Sequence, residues 1–239
     1  MTAERFRVTV GSTEVVGTLH RPSPPPRPCV VACHGMGASK DSDKYLLLAS
    51  EFPAAGLALA RFDFRGSGES GGSYLDATVA SRIADLEAVL DFLAKHPGLD
   101  GRFGLLGSSL GGFVALWVVS RRRPELPVVT WNAPASLSDL AAEAPSEPTG
   151  LAPALIAEVR QGRYVEVPAG ARGALIIHGE RDELVPPAHG RALFDRAGEP
   201  RALCLVEGAD HRLSDPIHRR AAVEHSLRWL THHLRADPS

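Results

Sequence analysis

Ser109 stands in Gly107-Ser108-Ser109-Leu110-Gly111, with glycine two residues to either side and an apolar run, Arg102 to Leu106, directly before it. A nucleophile at a sharp strand-to-helix turn takes a strained backbone, and side chains two positions away would hold strand and helix apart, so glycine belongs at both places. Ser108 lacks that framing and reads as a small packing residue. A serine hydroxyl is a poor nucleophile at neutral pH. It needs an imidazole to accept its proton and a carboxylate to hold that imidazole in one tautomer. Two later stretches offer these groups: Ile176-Ile177-His178-Gly179-Glu180-Arg181-Asp182 and Glu207-Gly208-Ala209-Asp210-His211. Asp182 and His211 are the candidate acid and base, with Asp139, Asp210 and Asp215 as rival carboxylates. An acid one strand earlier is ruled out by Thr130-Trp131-Asn132.

The elements that must bring these residues together follow from the apolar pattern. Phe6 to Leu19 alternates apolar and polar residues around Gly11-Ser12, the pattern of an antiparallel hairpin at a sheet edge. The proline-rich Arg21–Pro28 is a stiff extended connector. Cys29–Cys33, Leu57–Phe62, Arg102–Leu106, Pro127–Trp131, Ala174–Ile177 and Ala202–Val206 are short apolar runs, as expected of parallel strands covered on both faces. Helical stretches lie between them: Lys44–Phe52, Ala77–Leu93 (apolar at Val79, Ile83, Leu86, Leu90 and Leu93), the segment from Ser109 to Val119, and Ile217–Leu234. Alternating strand and helix predicts an α/β fold, a mostly parallel sheet with an antiparallel edge hairpin and helices on both faces. Parallel strands end on one rim, where ligands bind. Residues 135–170, rich in Ala, Pro and Glu with one helical stretch near Leu151–Arg160, interrupt the rhythm and predict a short cap or lid; otherwise residues 1–239 read as one domain.

Composition narrows the function. With 26 basic and 28 acidic residues and a net charge of −2, no strong field exists to collect nucleic acid or an anionic membrane. No stretch has the roughly 20 apolar residues of a membrane span, and the first residues carry charge without an apolar core, so a cytoplasmic location is expected. Cys29, Cys33 and Cys204 all lie in apolar runs and are expected to be reduced and buried. His211, His218, His225 and His232 recur every seven residues, but on a helix that spacing is about 10.5 Å, too wide for one ion, so no metal site is expected. Arg121-Arg122-Arg123 at a helix end needs only the helix dipole as partner.

The motifs His34-Gly35, Asp63-x-Arg65-Gly66-x-Gly68, Gly107-x-Ser109-x-Gly111, His178-Gly179-x-x-Asp182 and Gly208-x-Asp210-His211 occur here in order. In this the chain resembles the α/β-hydrolase superfamily over nearly its whole length. Within it the chain is most similar to small esterases and thioesterases related to cinnamoyl esterases, and to lidless relatives of prolyl-oligopeptidase-type catalytic domains. The resemblance implies that Ser109 attacks the carbonyl, His211 is general base and then general acid, Asp182 orients His211, and the backbone N–H groups of Met36 and Leu110 form the oxyanion hole. It also implies that His34 and His178 are structural and that Asp63 and Arg65 stabilise the turn after their strand. Trp131, at the rim, either lines the acyl or alcohol pocket or packs beneath the cap. The expected activity is hydrolysis of a small-molecule carboxylic ester or thioester through an acyl-serine, without a cofactor. The same three residues would serve a short-peptide peptidase or an acyltransferase, and a non-catalytic binding protein would keep the fold alone. Oligomeric state is left open.

Overall fold

The computed structural model describes residues 1–139 and 152–235. Strand β1 (Thr2–Val10) pairs antiparallel with β2 (Thr13–Arg21) across Gly11, whose φ of 62° supplies the left-handed turn. The parallel strands follow: β3 (Arg27–Cys33), β4 (Ala58–Asp63), β5 (Leu99–Ser108), β6 (Val128–Trp131), β7 (Ala174–Gly179) and β8 (Arg201–Val206). Their order across the eight-stranded sheet is β1-β2-β4-β3-β5-β6-β7-β8, with β2 antiparallel to β4 and every later pairing parallel. The helices are α1 (Asp43–Ala54), α2 (Val79–Leu93), α3 (Leu110–Arg121), α4 (Pro153–Arg160), α5 (Pro187–Arg196) and α6 (Pro216–His233). The expected edge hairpin, parallel sheet and long crossover helices are all present.

Alternation along the strands sorts the core into two layers. Val31, Leu105, Val128 and Ile176 face α2, α3 and α5, whereas Val30, Leu106, Val129, Trp131, Leu175 and Ile177 face α1 and α6. Burying a large apolar side chain contributes roughly 1.5–3 kcal/mol, so both layers are needed to hold the sheet between its helices. Strand β8 differs from expectation. It is the sheet edge and most of it is only half-buried, so Cys204 is partly accessible while Cys29 and Cys33 are fully buried; all three are free thiols.

The expected cap lies partly outside the described residues, since 140–151 are not among them. Its described flanks dock firmly. Ser136 bridges Glu166, Leu137 N–H donates to Val165 O (2.7 Å), and Val167 N–H donates to Ala135 O (3.0 Å). Glu158 of α4 accepts the Val79 N–H (2.7 Å), satisfying a donor at the start of α2. Replacing Glu158 by alanine should leave that buried N–H unpaired and cost about 1–3 kcal/mol, read as a lower urea midpoint.

Candidate active site

Strand β5 ends at Ser108 and α3 begins at Leu110, so Ser109 alone makes the turn. Its backbone sits at φ 54°, ψ −127°, a region that side chains normally avoid, and this lifts the hydroxyl out of the sheet. The Ser109 N–H donates to Trp131 O (2.8 Å), while its carbonyl accepts from Gly112 (2.9 Å) and Phe113 (3.1 Å), locking the turn from both sides. A Cβ on Gly107 would come 2.4 Å from Gly111 O, and one on Gly111 would come 2.2 Å from Cys33 O. Both glycines are therefore required by close approach. Gly111→Ala should prevent accumulation of soluble, folded protein, because the added Cβ would run into the Cys33 and His34 backbone, which cannot yield as a flexible side chain would; a variant with an unchanged melting curve would contradict this.

The sequence candidates converge on this turn. His211 Nε2 lies 3.1 Å from Ser109 Oγ, and His211 Nδ1 lies 2.8 Å from Asp182 Oδ2. With its proton on Nδ1, the imidazole presents a free Nε2 lone pair to the serine O–H. Asp182 is buried. Burial opposes its charge, but hydrogen bonds from His178, His211 and the Val185 N–H outweigh that and hold its carboxyl well below the usual range. Its other oxygen accepts from the Leu184 (3.0 Å) and Val185 (2.8 Å) amides, which fixes the carboxylate plane. His178 backs this arrangement: its Nε2 donates to Val185 O at 2.8 Å and lies 3.5 Å from Asp182 Oδ2. Asp210 is engaged elsewhere, accepting the Ser214 N–H (2.7 Å), and Asp215 caps α6 through the Ile217 N–H.

Met36 follows β3 and Leu110 opens α3; both border a cavity of about 710 Å³ that contains Ser109 and His211. Among the described residues neither N–H has a hydrogen-bond acceptor, the condition expected of donors reserved for an oxyanion. The loop carrying Met36 is held by a buried neutral histidine. His34 Nδ1 donates to Gly35 O (2.7 Å) and its Nε2 accepts the Phe64 N–H (3.0 Å), while burial and the Arg82 charge push its pKa down to about 3. Arg82 lies under the same loop, fully buried. It donates to His34 O (3.2 Å) and Met36 Sδ (3.4 Å), and its guanidinium carbon stands 4.6 Å from the Phe64 ring centre.

Two expectations change. Trp131 is not part of the cavity wall: it is fully buried on the α6 face, where its indole N–H donates to Ser226 Oγ (3.0 Å). Strand alternation turns its indole to the same face as Leu106, Val129 and Ile177, beneath α6. Ser108 is more than filler, since Lys44 Nζ donates to its hydroxyl at 2.7 Å. Asn132, which the sequence marks only as a missing carboxylate, ties the site together. From a left-handed backbone (φ 52°) its amide donates to Asp210 O (3.1 Å) and His211 O (2.7 Å) and accepts the Gly179 N–H (2.8 Å). Asn132→Ala should loosen the His211 loop, lowering kcat about tenfold and stability by about 1–3 kcal/mol.

Asp63 stabilises its turn through the Lys40 (2.7 Å) and Glu69 (2.9 Å) amides, whereas Arg65 pairs with Asp85 at 2.6 Å. Among the described residues, Asp41, Asp63 and Glu69 are the carboxylates that converge closely enough for a metal ion. Lys40 Nζ already occupies their centre, 2.6, 3.2 and 2.6 Å from them.

The sheet order, the strained serine turn and the convergent Ser109, His211 and Asp182 define an α/β hydrolase. The chain belongs to the Hydrolase_4 family, described as serine aminopeptidase, S33, whose model matches residues 24–165. It is 26% identical to the monoacylglycerol lipase of Mycolicibacterium smegmatis over 271 aligned positions, covering 94% of this chain and 95% of that one. The fold is shared with Est1E from Butyrivibrio proteoclasticus, solved with ferulic acid bound (TM-score 0.81, 18% identity, 95% and 99% coverage). It is shared too with alpha/beta hydrolase domain-containing protein 10 from mouse (TM-score 0.79, 19% identity, 96% and 99% coverage). No helix among the described residues is long and apolar enough to cross a membrane.

Proposed function

We propose that this hydrolase cleaves carboxylic esters or thioesters of small to medium acyl groups through an acyl-Ser109 intermediate. The observation that carries this reading is the unbroken relay from Ser109 Oγ to His211 (3.1 Å) and from His211 to Asp182 (2.8 Å) at the wall of a 710 Å³ cavity. In it, His211 takes the hydroxyl proton as Ser109 Oγ bonds to the acyl carbon, and the Met36 and Leu110 N–H groups receive the oxyanion. The protonated His211 then delivers its proton to the leaving alcohol or thiol. Water enters, loses a proton to His211 and releases the acid. Each backbone donor of this kind typically contributes about 3–4 kcal/mol to the transition state. The described flanks of the expected cap border the site in this reading, since Leu137 and Leu155 line the cavity.

The family's description names aminopeptidases, and a monoacylglycerol lipase stands among the similar proteins. Capture of a peptide ammonium needs carboxylates close to the nucleophile; the wall carries Asp43 and Asp139, but Lys44, Arg212 and Arg219 outnumber them, which favours the ester reading. A fluorophosphonate probe should add one adduct to the wild-type mass and none to Ser109→Ala. A panel of p-nitrophenyl esters, hydroxycinnamate esters, acyl thioesters and aminoacyl anilides then sets the class; turnover of the anilides alone would replace esterase by peptidase. Asp182, held ionised below the usual carboxylate range, should cause no loss of activity of its own near pH 4.

A further inference from the structure

One wall of the cavity carries three cations from three different places in the fold. Lys44 is the second residue of α1, Arg212 follows His211, and Arg219 lies in the first turn of α6. Among the described residues none of the three forms an ion pair. Lys44 gives one hydrogen bond to Ser108 Oγ (2.7 Å), and Arg219 donates to the Leu213 (3.1 Å) and Ser214 (3.3 Å) carbonyls; Arg212 is exposed. The Lys44 ammonium therefore faces the cavity with donors to spare. Its burial and the two arginines push its pKa down to about 8, with Asp210 partly opposing. The N-terminus of α1, a twelve-residue helix whose Ser42 makes no side-chain cap bond, adds positive potential at the same spot. Two carboxylates also border the cavity, the exposed Asp43 and Asp139, and Asp139 acts on His189. Cations that repel one another and lack a counter-ion are costly to hold together in a half-buried wall. An anion in the cavity removes that cost.

We propose that Lys44, Arg212 and Arg219 form a subsite for a substrate carboxylate, so that the preferred ester bears a negative charge within a few atoms of the bond cleaved. This rests on Ser109 being the esterase nucleophile. Ser108 links the two: its side chain orients Lys44 and its peptide leads into Ser109. Arginine and lysine together suit a carboxylate, which accepts several charge-assisted hydrogen bonds at once.

The test compares charged and neutral substrates of matched shape. The p-nitrophenyl monoester of adipic acid is set against that of its monoamide, placing charge on the acyl side. Likewise 3-acetoxybenzoate is set against 3-acetoxybenzamide, placing it on the alcohol side. The wild type should favour the anion in at least one pair by about tenfold or more in kcat/KM, chiefly through KM, and 0.5 M NaCl should shrink that ratio. Lys44→Met should bring the ratio close to one. Arg212→Ala, at an exposed position that does not threaten folding, should lower it about threefold. Because each ratio is read within one protein, general loss of activity divides out. Hydrolysis of the neutral esters with no anionic preference, or a ratio that survives both substitutions, overturns the subsite and leaves the esterase reading intact. Failure to hydrolyse any of the four overturns both.

Discussion

Ser109→Ala is expected to lower kcat/KM toward p-nitrophenyl butyrate by at least about ten-thousandfold while leaving the fold in place. Only the Oγ that lies 3.1 Å from His211 Nε2 is removed; the glycine contacts and the three backbone hydrogen bonds at residue 109 remain. Residual hydrolysis above the rate in water would come from substrate binding and the two backbone donors. The measurement is steady-state kinetics with an unchanged far-ultraviolet spectrum as control. A loss below tenfold would mean that another group attacks the acyl carbon.

The second large effect is expected of Asp182→Asn, a loss of roughly ten-thousandfold in kcat with the serine untouched. The amide's oxygen can still accept from Leu184 and Val185, but its NH₂ then faces His211 Nδ1. An NH₂ only donates, so Nδ1 must accept and the imidazole proton moves to Nε2, where it points at Ser109 and blocks deprotonation. Stability changes too, and with a definite sign. The folded state lowers the pKa of Asp182, so its charged form contributes stability in full above the unfolded value of about 4, and that contribution is lost as pH falls toward the folded value. The wild type should therefore exceed the variant in Tm most at neutral pH, with the gap closing on acidification.

The parts of the site that the sequence exposes are those tied to strand ends and glycines. Ser109, Asp182 and His211 each follow a short apolar run that reads as a parallel strand, and strands running one way end on one rim. Trp131 shows where that reasoning stops. In a strand covered on both faces each residue is apolar whichever way it points, so the pattern carries no sign for the face, and only the placement of α6 assigns the indole to Ser226. The half-buried state of β8 and Cys204 has the same origin, because strand order across the sheet is a tertiary property. Arg82 did leave a signal. Three residues after Val79 and four before Leu86, it falls inside the apolar stripe of α2, and a charge there asks for a buried polar partner, which His34 O supplies. Lys44 and Asn132 left none. Their partners lie 64 residues away at Ser108 and 47, 78 and 79 residues away at Gly179, Asp210 and His211.

The left-handed backbone at Ser109 sets the enzyme's working geometry against its thermal endurance. Holding a residue with a Cβ at φ 54° costs about 1–3 kcal/mol, which glycine escapes, while glycine's own extra freedom in the unfolded chain returns about 0.5–1 kcal/mol of that. Ser109→Gly should accordingly melt above Ser109→Ala, although both are dead toward esters. The difference between those two melting points reports the strain the fold tolerates in order to present a reactive hydroxyl, less glycine's entropic share, and selecting for heat resistance alone would drive that position toward an inert residue.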